Sequence, residues 1–378
     1  MKKTMFFILL TIIALSEISL AQTGQVAVSS KLAGKQHASP NNMFGAAFPR
    51  IEANNSVTFK FKAPDAQKVQ VAIANVAYDM IKDNDGVWTY TSEPQDLGYH
   101  NYWMIVDGAI VLDPATDGFI GYSHNCNGFE IPDPDGGFYD LINVPHGDVL
   151  IKNYFSTVEN AWRLVYIYTP PGYNNSFNRY PVLYLQHGGG EDQRVWIEMG
   201  RTNLILDNLI AERKCKPFIV VMETSATLKA GEARPQPNDA GIIRPSNDAY
   251  GELMTKDLIP FIDKNFRTID DPNSRAMAGL SMGSMVTRQV TLANLDKFAY
   301  IGIFSGGTIT PEQISNKSRV KLVFMSFGSR ERGSDGIKDA ADALNQAGVK
   351  SVSYVSPLTA HEWQSWRRSL YEFAQLLF

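Results

Sequence analysis

Residues 279–283 read Gly-Leu-Ser-Met-Gly, a pattern typical of a serine nucleophile on a sharp turn. A mostly apolar run, 275–278, precedes the turn, and apolar residues at helical spacing follow it, which predicts a strand and a helix on either side. Small residues beside the serine let the backbone turn sharply and lift the hydroxyl above the sheet. We therefore predict that Ser281 is a nucleophile, with an incidental serine in a glycine-rich turn as the alternative.

A base for this serine is expected later in the chain, because α/β hydrolases carry their triad in the order serine, acid, histidine. His361 is the one histidine after Ser281, and it follows the predicted strand 351–355. A predicted helix comes next, and its apolar face indicates core packing. That face contains Trp363, Trp366, Leu370, Phe373 and Leu377. We interpret His361 as the base, with a helix-terminal surface residue as the alternative.

The acid of the triad has two candidates. The predicted strand 321–327 opens into a loop that contains Glu331 and Asp335. A carboxylate there could accept the Nδ1 proton of His361, fix its tautomer and stabilise the imidazolium. We favour Glu331, since it follows the strand more closely. Asp335 could instead cap a helix that begins near Gly336.

Backbone amides for an oxyanion hole are predicted upstream. The predicted strand 180–186 runs directly into His187 and three glycines. The amide of Met282, the residue after the nucleophile, would be joined by that of Gly188 or Gly189. A phosphate-binding loop is the alternative, but no Gly-Lys-Ser or Gly-Lys-Thr follows to complete one. His187 precedes the serine, and we interpret it as a turn residue that supports the loop.

The chain has 378 residues, more than one typical hydrophobic core serves, so two domains are expected. Two segments with different sequence patterns support this. Residues 22–125 contain short alternating strands and turn residues, which predict a small all-β immunoglobulin-like sandwich. Residues 126–145 are rich in Pro, Asp and Gly and read as a linker. Residues 146–378 alternate strands with helices, which predicts an α/β-hydrolase domain with a mostly parallel sheet. The long polar connection 224–247 is a candidate for shaping the substrate cleft.

The N-terminal residues 1–21 have the pattern of a signal peptide: two lysines, a short apolar run and small residues before Gln22. We therefore predict export to the periplasm or the extracellular space. A membrane anchor is the alternative, but the apolar run is short and no other stretch could span a bilayer.

Composition excludes several other classes of function. The net charge is only −4 and there is no basic stripe, which argues against a nucleic-acid partner. The two cysteines, Cys126 and Cys215, could pair after export or remain buried thiols. No cluster has metal-ligand spacing, so we predict no metal and no cofactor. The oligomeric state is left open.

Four segments together carry a family resemblance: 168–173 (Tyr-Thr-Pro-Pro-Gly-Tyr), 184–190 (Tyr-Leu-Gln-His-Gly-Gly-Gly), 279–283 and 361–363 (His-Glu-Trp). With them, most of residues 145–378 resembles the family-1 carbohydrate esterases, which include feruloyl and acetylxylan esterases, and more broadly the esterase-D-like α/β hydrolases. The resemblance implies that Ser281 is the nucleophile and His361 the base. The family commonly has Asp as its acid, whereas Glu331 stands here.

The N-terminal segment looks like the immunoglobulin-like modules grouped with family-48 carbohydrate-binding modules, through residues 61–64, 86–89 and 106–108. Its aromatic residues could stack on sugar rings, although alternating aromatics in strands are more often core. These residues are Trp88, Tyr90, Tyr102 and Trp103.

The resemblance implies an exported serine esterase that acts on acylated polysaccharide. It would remove feruloyl or acetyl groups from plant cell-wall material such as xylan. A siderophore trilactone esterase and a non-catalytic carbohydrate-binding protein on a hydrolase scaffold are the alternatives.

Overall fold

The computed structural model describes residues 31–233 and 247–378. The predicted signal peptide, 1–21, lies outside the described residues, as does most of the long connection 224–247. In the described part of the chain, no helix has the length and apolar character needed to cross a membrane.

The N-terminal part folds into two antiparallel sheets that share one core. Alternating side chains from both sheets, among them Phe59, Val71 and Phe129, meet in this core, as expected for a sandwich. The first sheet has the order β1-β2-β3-β7-β6 and the second the order β10-β11-β8-β4-β5, with β9 beside β8. The strands are β1 His37–Ala38, β2 Arg50–Ile51, β3 Val57–Lys62, β4 Val69–Ile73, β5 Val76–Asp79, β6 Ile81–Lys82, β7 Val87–Thr91, β8 Gly98–Val106, β9 Ala109–Val111, β10 Gly118–Gly121 and β11 His124–Ile131.

The second sheet extends further along the chain than the predicted boundary at residue 125. Strand β11 pairs with β8 as far as Ile131, opposite Gly98. Residues 126–131, which were predicted to be linker, are therefore buried strand. The Pro and Asp residues that indicate a linker begin only at Pro132, with Gly128 alone before them, and composition averaged over the whole segment conceals the strand.

The C-terminal part is built on an eight-stranded sheet with the order β12-β13-β15-β14-β16-β17-β18-β19. Strand β13 pairs antiparallel with both β12 and β15. The six strands β14 to β19 run parallel, so the predicted α/β-hydrolase class with a mostly parallel sheet is confirmed. The strands are β12 Asp148–Ser156, β13 Ala161–Thr169, β14 Val182–Gln186, β15 Ile219–Glu223, β16 Arg275–Leu280, β17 Tyr300–Phe304, β18 Leu322–Gly328 and β19 Ser351–Ser356.

Helices cover both faces of this sheet. The helices are α1 Val195–Glu198, α2 Thr202–Ala211, α3 Asn247–Leu253, α4 Ile259–Asn265, α5 Met282–Ala293, α6 Ile337–Gln346 and α7 Trp363–Ala374. A π-helical turn, Met254–Leu258, joins α3 to α4. Alternation along β17 shows the two faces of the sheet. Tyr300 and Phe304 pack in one cluster with α2 and α7, and Ile301 and Ile303 pack in another with α6.

A buried ion pair joins the sandwich to the α/β part. Arg367 of α7 donates two hydrogen bonds to the Glu130 carboxylate of β11, at 2.6 and 3.1 Å, and a third to the Met199 carbonyl at 2.8 Å. Both side chains of the pair are almost wholly buried. Burial by itself would raise the pKa of Glu130, but the charges of Arg367 and Arg201 and the hydrogen bonds from Arg367 lower it below its ordinary value. The two parts of the chain are therefore held together by a satisfied pair of buried charges.

We expect Arg367→Met to lower the free energy of unfolding by about 3–5 kcal/mol, because it leaves the Glu130 carboxylate buried without its bidentate partner. The double variant Arg367→Met with Glu130→Leu should recover most of this loss, since it removes both charges. Urea unfolding followed by circular dichroism measures both. Asp342→Ala, which breaks the exposed pair with Lys338, is the control and should leave the midpoint unchanged. An Arg367→Met curve that overlays the wild type would contradict the account.

Candidate active site

Ser281 lies on the turn between β16 and α5, with a backbone conformation that few residues other than glycine adopt. Its φ is 51° and its ψ is −118°. The two glycines of the motif are needed because the chain folds back on itself: a Cβ on Gly279 would lie 2.5 Å from the Gly283 carbonyl, and one on Gly283 2.3 Å from the His187 oxygen. The Ser281 amide donates to the Phe304 carbonyl of β17 at 2.8 Å. The turn is thus held in a strained conformation by close packing and a strand-end hydrogen bond.

Three side chains from separate segments form a continuous hydrogen-bonded chain. His361 Nε2 lies 2.9 Å from the Ser281 hydroxyl oxygen, and His361 Nδ1 lies 2.7 Å from Glu331 Oε2. Because an ionised carboxylate only accepts hydrogen bonds, Nδ1 carries the proton and Nε2 is free to accept one from serine. The arrangement has the geometry required of a nucleophile, a base and the acid that orients the base.

The Glu331 carboxylate is held by three donors. Besides His361, the Ser305 hydroxyl and the Gly328 amide donate to its Oε1 atom, each at 2.7 Å. Trp366 Nε1 in turn donates to Ser305 Oγ at 3.1 Å. Burial alone would raise the pKa of Glu331, but the hydrogen bonds from His361, Gly328 and Ser305 lower it below its ordinary value. The carboxylate is therefore ionised and fixed in position next to the imidazole.

The loop that presents His361 packs directly against the end of β18. A Cβ on Gly328 would lie 2.5 Å from both the Thr359 and Ala360 carbonyls, so glycine permits this approach. The Arg330 amide donates to the Thr359 carbonyl at 2.9 Å, and the Ser365 hydroxyl donates to the Ala360 carbonyl at 2.5 Å. The Trp366 ring meets the imidazole at 90°, with the ring centres 5.1 Å apart. These contacts keep the half-exposed imidazole in place.

The alternative acid, Asp335, is exposed in the short 3₁₀ turn Arg332–Gly336, and the structure does not bring it to His361. His187, the other histidine near the site, is buried. Its ring nitrogens contact the Gly188 carbonyl and the Thr224 hydroxyl, at 2.7 and 3.2 Å. Burial lowers the pKa of His187, so it is a neutral side chain that supports the glycine loop.

One hydrogen bond distinguishes the two glycines that are predicted as oxyanion donors. The Gly188 amide donates to Glu191 Oε2 at 2.8 Å, so it is already engaged and is not an available oxyanion donor. Gly189 is exposed. A Cβ on Gly189 would lie 3.9 Å from the Met282 sulfur, so Gly189 lies beside Met282, whose amide is the other predicted donor. The Met282 amide is the first of α5 and has no acceptor within its helix. The structure therefore leaves the Gly189 and Met282 amides as the candidate pair.

The sandwich reaches this loop through the two-residue turn between β10 and β11. The Ser123 amide donates to the Gly190 carbonyl at 3.0 Å. A Cβ on Gly190, where φ is 73°, would lie 2.6 Å from the Ser123 nitrogen, so only glycine fits this docking. Neighbouring Tyr122 is 41% exposed and packs against Trp103 of β8. The glycine loop thus lies between the nucleophile turn and the sandwich.

Sequence reasoning missed the residues that support the triad from behind. Ser305 and Trp366 act through Glu331, and a serine directly after an apolar strand was the available signal for the first. Trp366 was predicted as core, and it is core, but its indole nitrogen also serves the site. Both cysteines are free thiols. Within the described residues, no group of three or more His, Cys, Asp or Glu side chains could hold a metal ion.

Several known proteins are similar in sequence to this chain. The family model described as "Putative esterase" matches residues 156–375. A protein named "Endo-1,4-beta-xylanase/feruloyl esterase" from Xylanibacter ruminicola is 39% identical over 351 residues, which cover 90% of this chain and 47% of that protein. An esterase of Mycobacterium tuberculosis is 32% identical over 156 residues, 40% of this chain and 31% of its own length. The chain therefore spans about half, or less, of these two relatives.

Solved structures share the fold. A CE1 ferulic acid esterase from Anaeromyces mucronatus in complex with ferulic acid has a TM-score of 0.56 at 20% identity, covering 65% of this chain and 96% of its own. The enterobactin esterase of Shigella flexneri in the presence of enterobactin has a TM-score of 0.62 at 16% identity, covering 85% and 94%. With a family model over more than half of its length, this chain belongs to the putative esterase family.

Proposed function

We propose that this protein is an exported serine esterase that removes feruloyl or acetyl groups from plant cell-wall polysaccharide such as xylan. The single observation that carries the proposal is the position of the His361 imidazole, between the Ser281 hydroxyl at 2.9 Å and the Glu331 carboxylate at 2.7 Å. The 39% identical relative named for xylanase and feruloyl esterase activity supports the substrate class. The predicted signal peptide supports export.

The geometry supports a two-step reaction through an acyl-enzyme. Ser281 Oγ attacks the ester carbonyl carbon while its proton passes to His361 Nε2. The Gly189 and Met282 amides stabilise the negative charge on the former carbonyl oxygen. The carbon–oxygen bond to the sugar breaks, and the departing oxygen takes the proton from His361. Water then repeats the steps on the acyl-enzyme and releases the carboxylic acid.

A siderophore trilactone esterase is the second candidate. The enterobactin esterase structure covers 85% of this chain, whereas the ferulic acid esterase covers 65%, so the former match extends into the N-terminal sandwich. Both reactions would use the same triad and differ only in the acyl and alcohol groups that the cleft accepts.

The substrate is tested by offering wild-type protein methyl ferulate, arabinoxylan carrying both ester types, and a cyclic catechol trilactone. Released ferulate or acetate, measured by chromatography, is the expected result. Cleavage of the trilactone alone would favour the second candidate. Polysaccharide retention without hydrolysis, and without labelling by a fluorophosphonate probe, would mean that the protein only binds carbohydrate.

Ser281→Ala should lower kcat/KM for methyl ferulate on the order of 10⁴- to 10⁶-fold, because only binding and the oxyanion amides would remain. Ser318→Ala is the matched control. It replaces an exposed serine that is not part of the triad and should leave the rate unchanged. Equal rates for Ser281→Ala and wild type, with folding verified by circular dichroism, would refute the assignment.

Glu331→Gln should lower kcat for methyl ferulate by about 10⁴-fold with little change in KM, since a neutral amide no longer fixes the histidine tautomer or stabilises its charged form. Asp335→Asn removes a carboxylate from the same loop without touching His361, and its kcat should match the wild type. The reverse ranking of these two variants would make Asp335 the acid.

A further inference from the structure

A second carboxyl group, which the triad does not use, lies beside the nucleophile. Glu191 Oε2 accepts the hydrogen bond from the Gly188 amide. A Cβ on Gly188 would lie 3.0 Å from this oxygen and 3.6 Å from the Ser281 Cβ. Glu191 therefore sits behind the glycine loop at the point where the loop meets the nucleophile turn.

The glycine loop is held from two sides. On the inner side, Glu191 holds the amide of Gly188, and on the outer side the Ser123 amide of the sandwich holds the carbonyl of Gly190. Gly189, between these two fixed points, is left facing solvent beside Met282. Fixing the residues on either side restricts the directions in which the Gly189 amide can point.

We propose that Glu191 is a positioning residue of the oxyanion hole: by holding the Gly188 amide, its carboxyl group directs the Gly189 amide toward the acyl oxygen above Ser281. This inference deepens the proposed esterase function and rests on it. Catalytic oxyanion donors must be held in place before the charge develops, because a donor that must reorganise during the reaction contributes less.

The charge of Glu191 matters because an oxyanion develops nearby. Burial raises the pKa of Glu191 to about 8, and the hydrogen bond from Gly188 opposes the rise only in part. The titratable groups that act on it are Asp192 in its own loop, which is ion-paired with Arg194 at 2.9 Å, and Tyr122 and Cys126 from the sandwich. The carboxyl therefore keeps its proton to a higher pH than an ordinary glutamate and ionises as the pH rises through about 8. Ionisation would place a negative charge next to the oxyanion and oppose its formation.

Variants of Glu191 test the proposal, with p-nitrophenyl acetate and methyl ferulate as substrates and the rate of fluorophosphonate labelling of Ser281 as a third readout. We expect Glu191→Ala to lower kcat on the order of 100-fold with little change in KM, because a misplaced donor acts only on the transition state. Glu191→Gln should keep the wild-type kcat at pH 7, since its amide oxygen accepts the same hydrogen bond from Gly188.

The pH profile separates this role from a merely structural one. Wild-type kcat/KM should fall as the pH rises through about 8, whereas Glu191→Gln, which cannot ionise, should keep its plateau there. Stability should depend on the same group. Because the pKa of Glu191 in the folded protein lies above its ordinary value of 4.5, the folded protein retains a proton that the unfolded chain releases. The free energy of unfolding should therefore fall as the pH rises from 4.5 to about 8. The Glu191→Gln variant should not show this fall in the free energy of unfolding.

Glu212→Gln, an exposed glutamate of the segment after α2, is the control and should reproduce the wild-type profile. An unchanged kcat in Glu191→Ala would overturn the proposal, as would a Glu191→Gln variant that loses as much activity as Glu191→Ala. If Glu191→Ala does not fold, the pH profile of Glu191→Gln provides the test. A fall in its kcat/KM above about pH 8 that equals the fall in the wild type would overturn the proposal. Absence of any ester hydrolysis or labelling in the wild type would instead refute the proposed function.

Discussion

The positive-φ backbone of Ser281 is the constraint on which the rest of the site depends. A serine in this conformation is strained, and it persists because Gly279 and Gly283 allow strand, turn and helix to pack closer than any side chain would permit. The strain directs the hydroxyl out of the sheet and leaves the Met282 amide unpaired at the start of a helix. One local conformation therefore supplies both the proposed nucleophile and one of the two candidate oxyanion donors.

Two glutamates near this turn have pKa values shifted in opposite directions because their environments differ. Glu331 accepts hydrogen bonds from His361, Ser305 and Gly328, and their combined effect exceeds that of burial, so its pKa lies below the ordinary value. Glu191 accepts one hydrogen bond from a backbone amide, and burial dominates, so its pKa lies above it. A charged acid supports the imidazolium that forms during the reaction, and a neutral one can lie beside the oxyanion without opposing it.

Much of the fold could be predicted because its signals are local. The apolar strands, the Gly-Leu-Ser-Met-Gly turn and the chain order of triad residues place Ser281 and His361 at one edge of a parallel sheet. Proximity to the predicted strand favours Glu331 over Asp335, and this proximity can be judged from the sequence. The engagement of Gly188 by Glu191 and the continuation of β11 to Ile131 could not be predicted, because both depend on contacts between segments that distance along the chain does not reveal. The same holds for the Arg367–Glu130 pair, which joins residues far apart in sequence.

The central claim is that an ester transfers its acyl group to Ser281. Acid quenching during turnover of methyl ferulate, followed by proteolysis and tandem mass spectrometry, measures it most directly. We expect a feruloyl group on the peptide that contains Ser281, bound to the serine oxygen itself. Ferulate release without any acylated peptide, or with the acyl group on a different side chain, would contradict it.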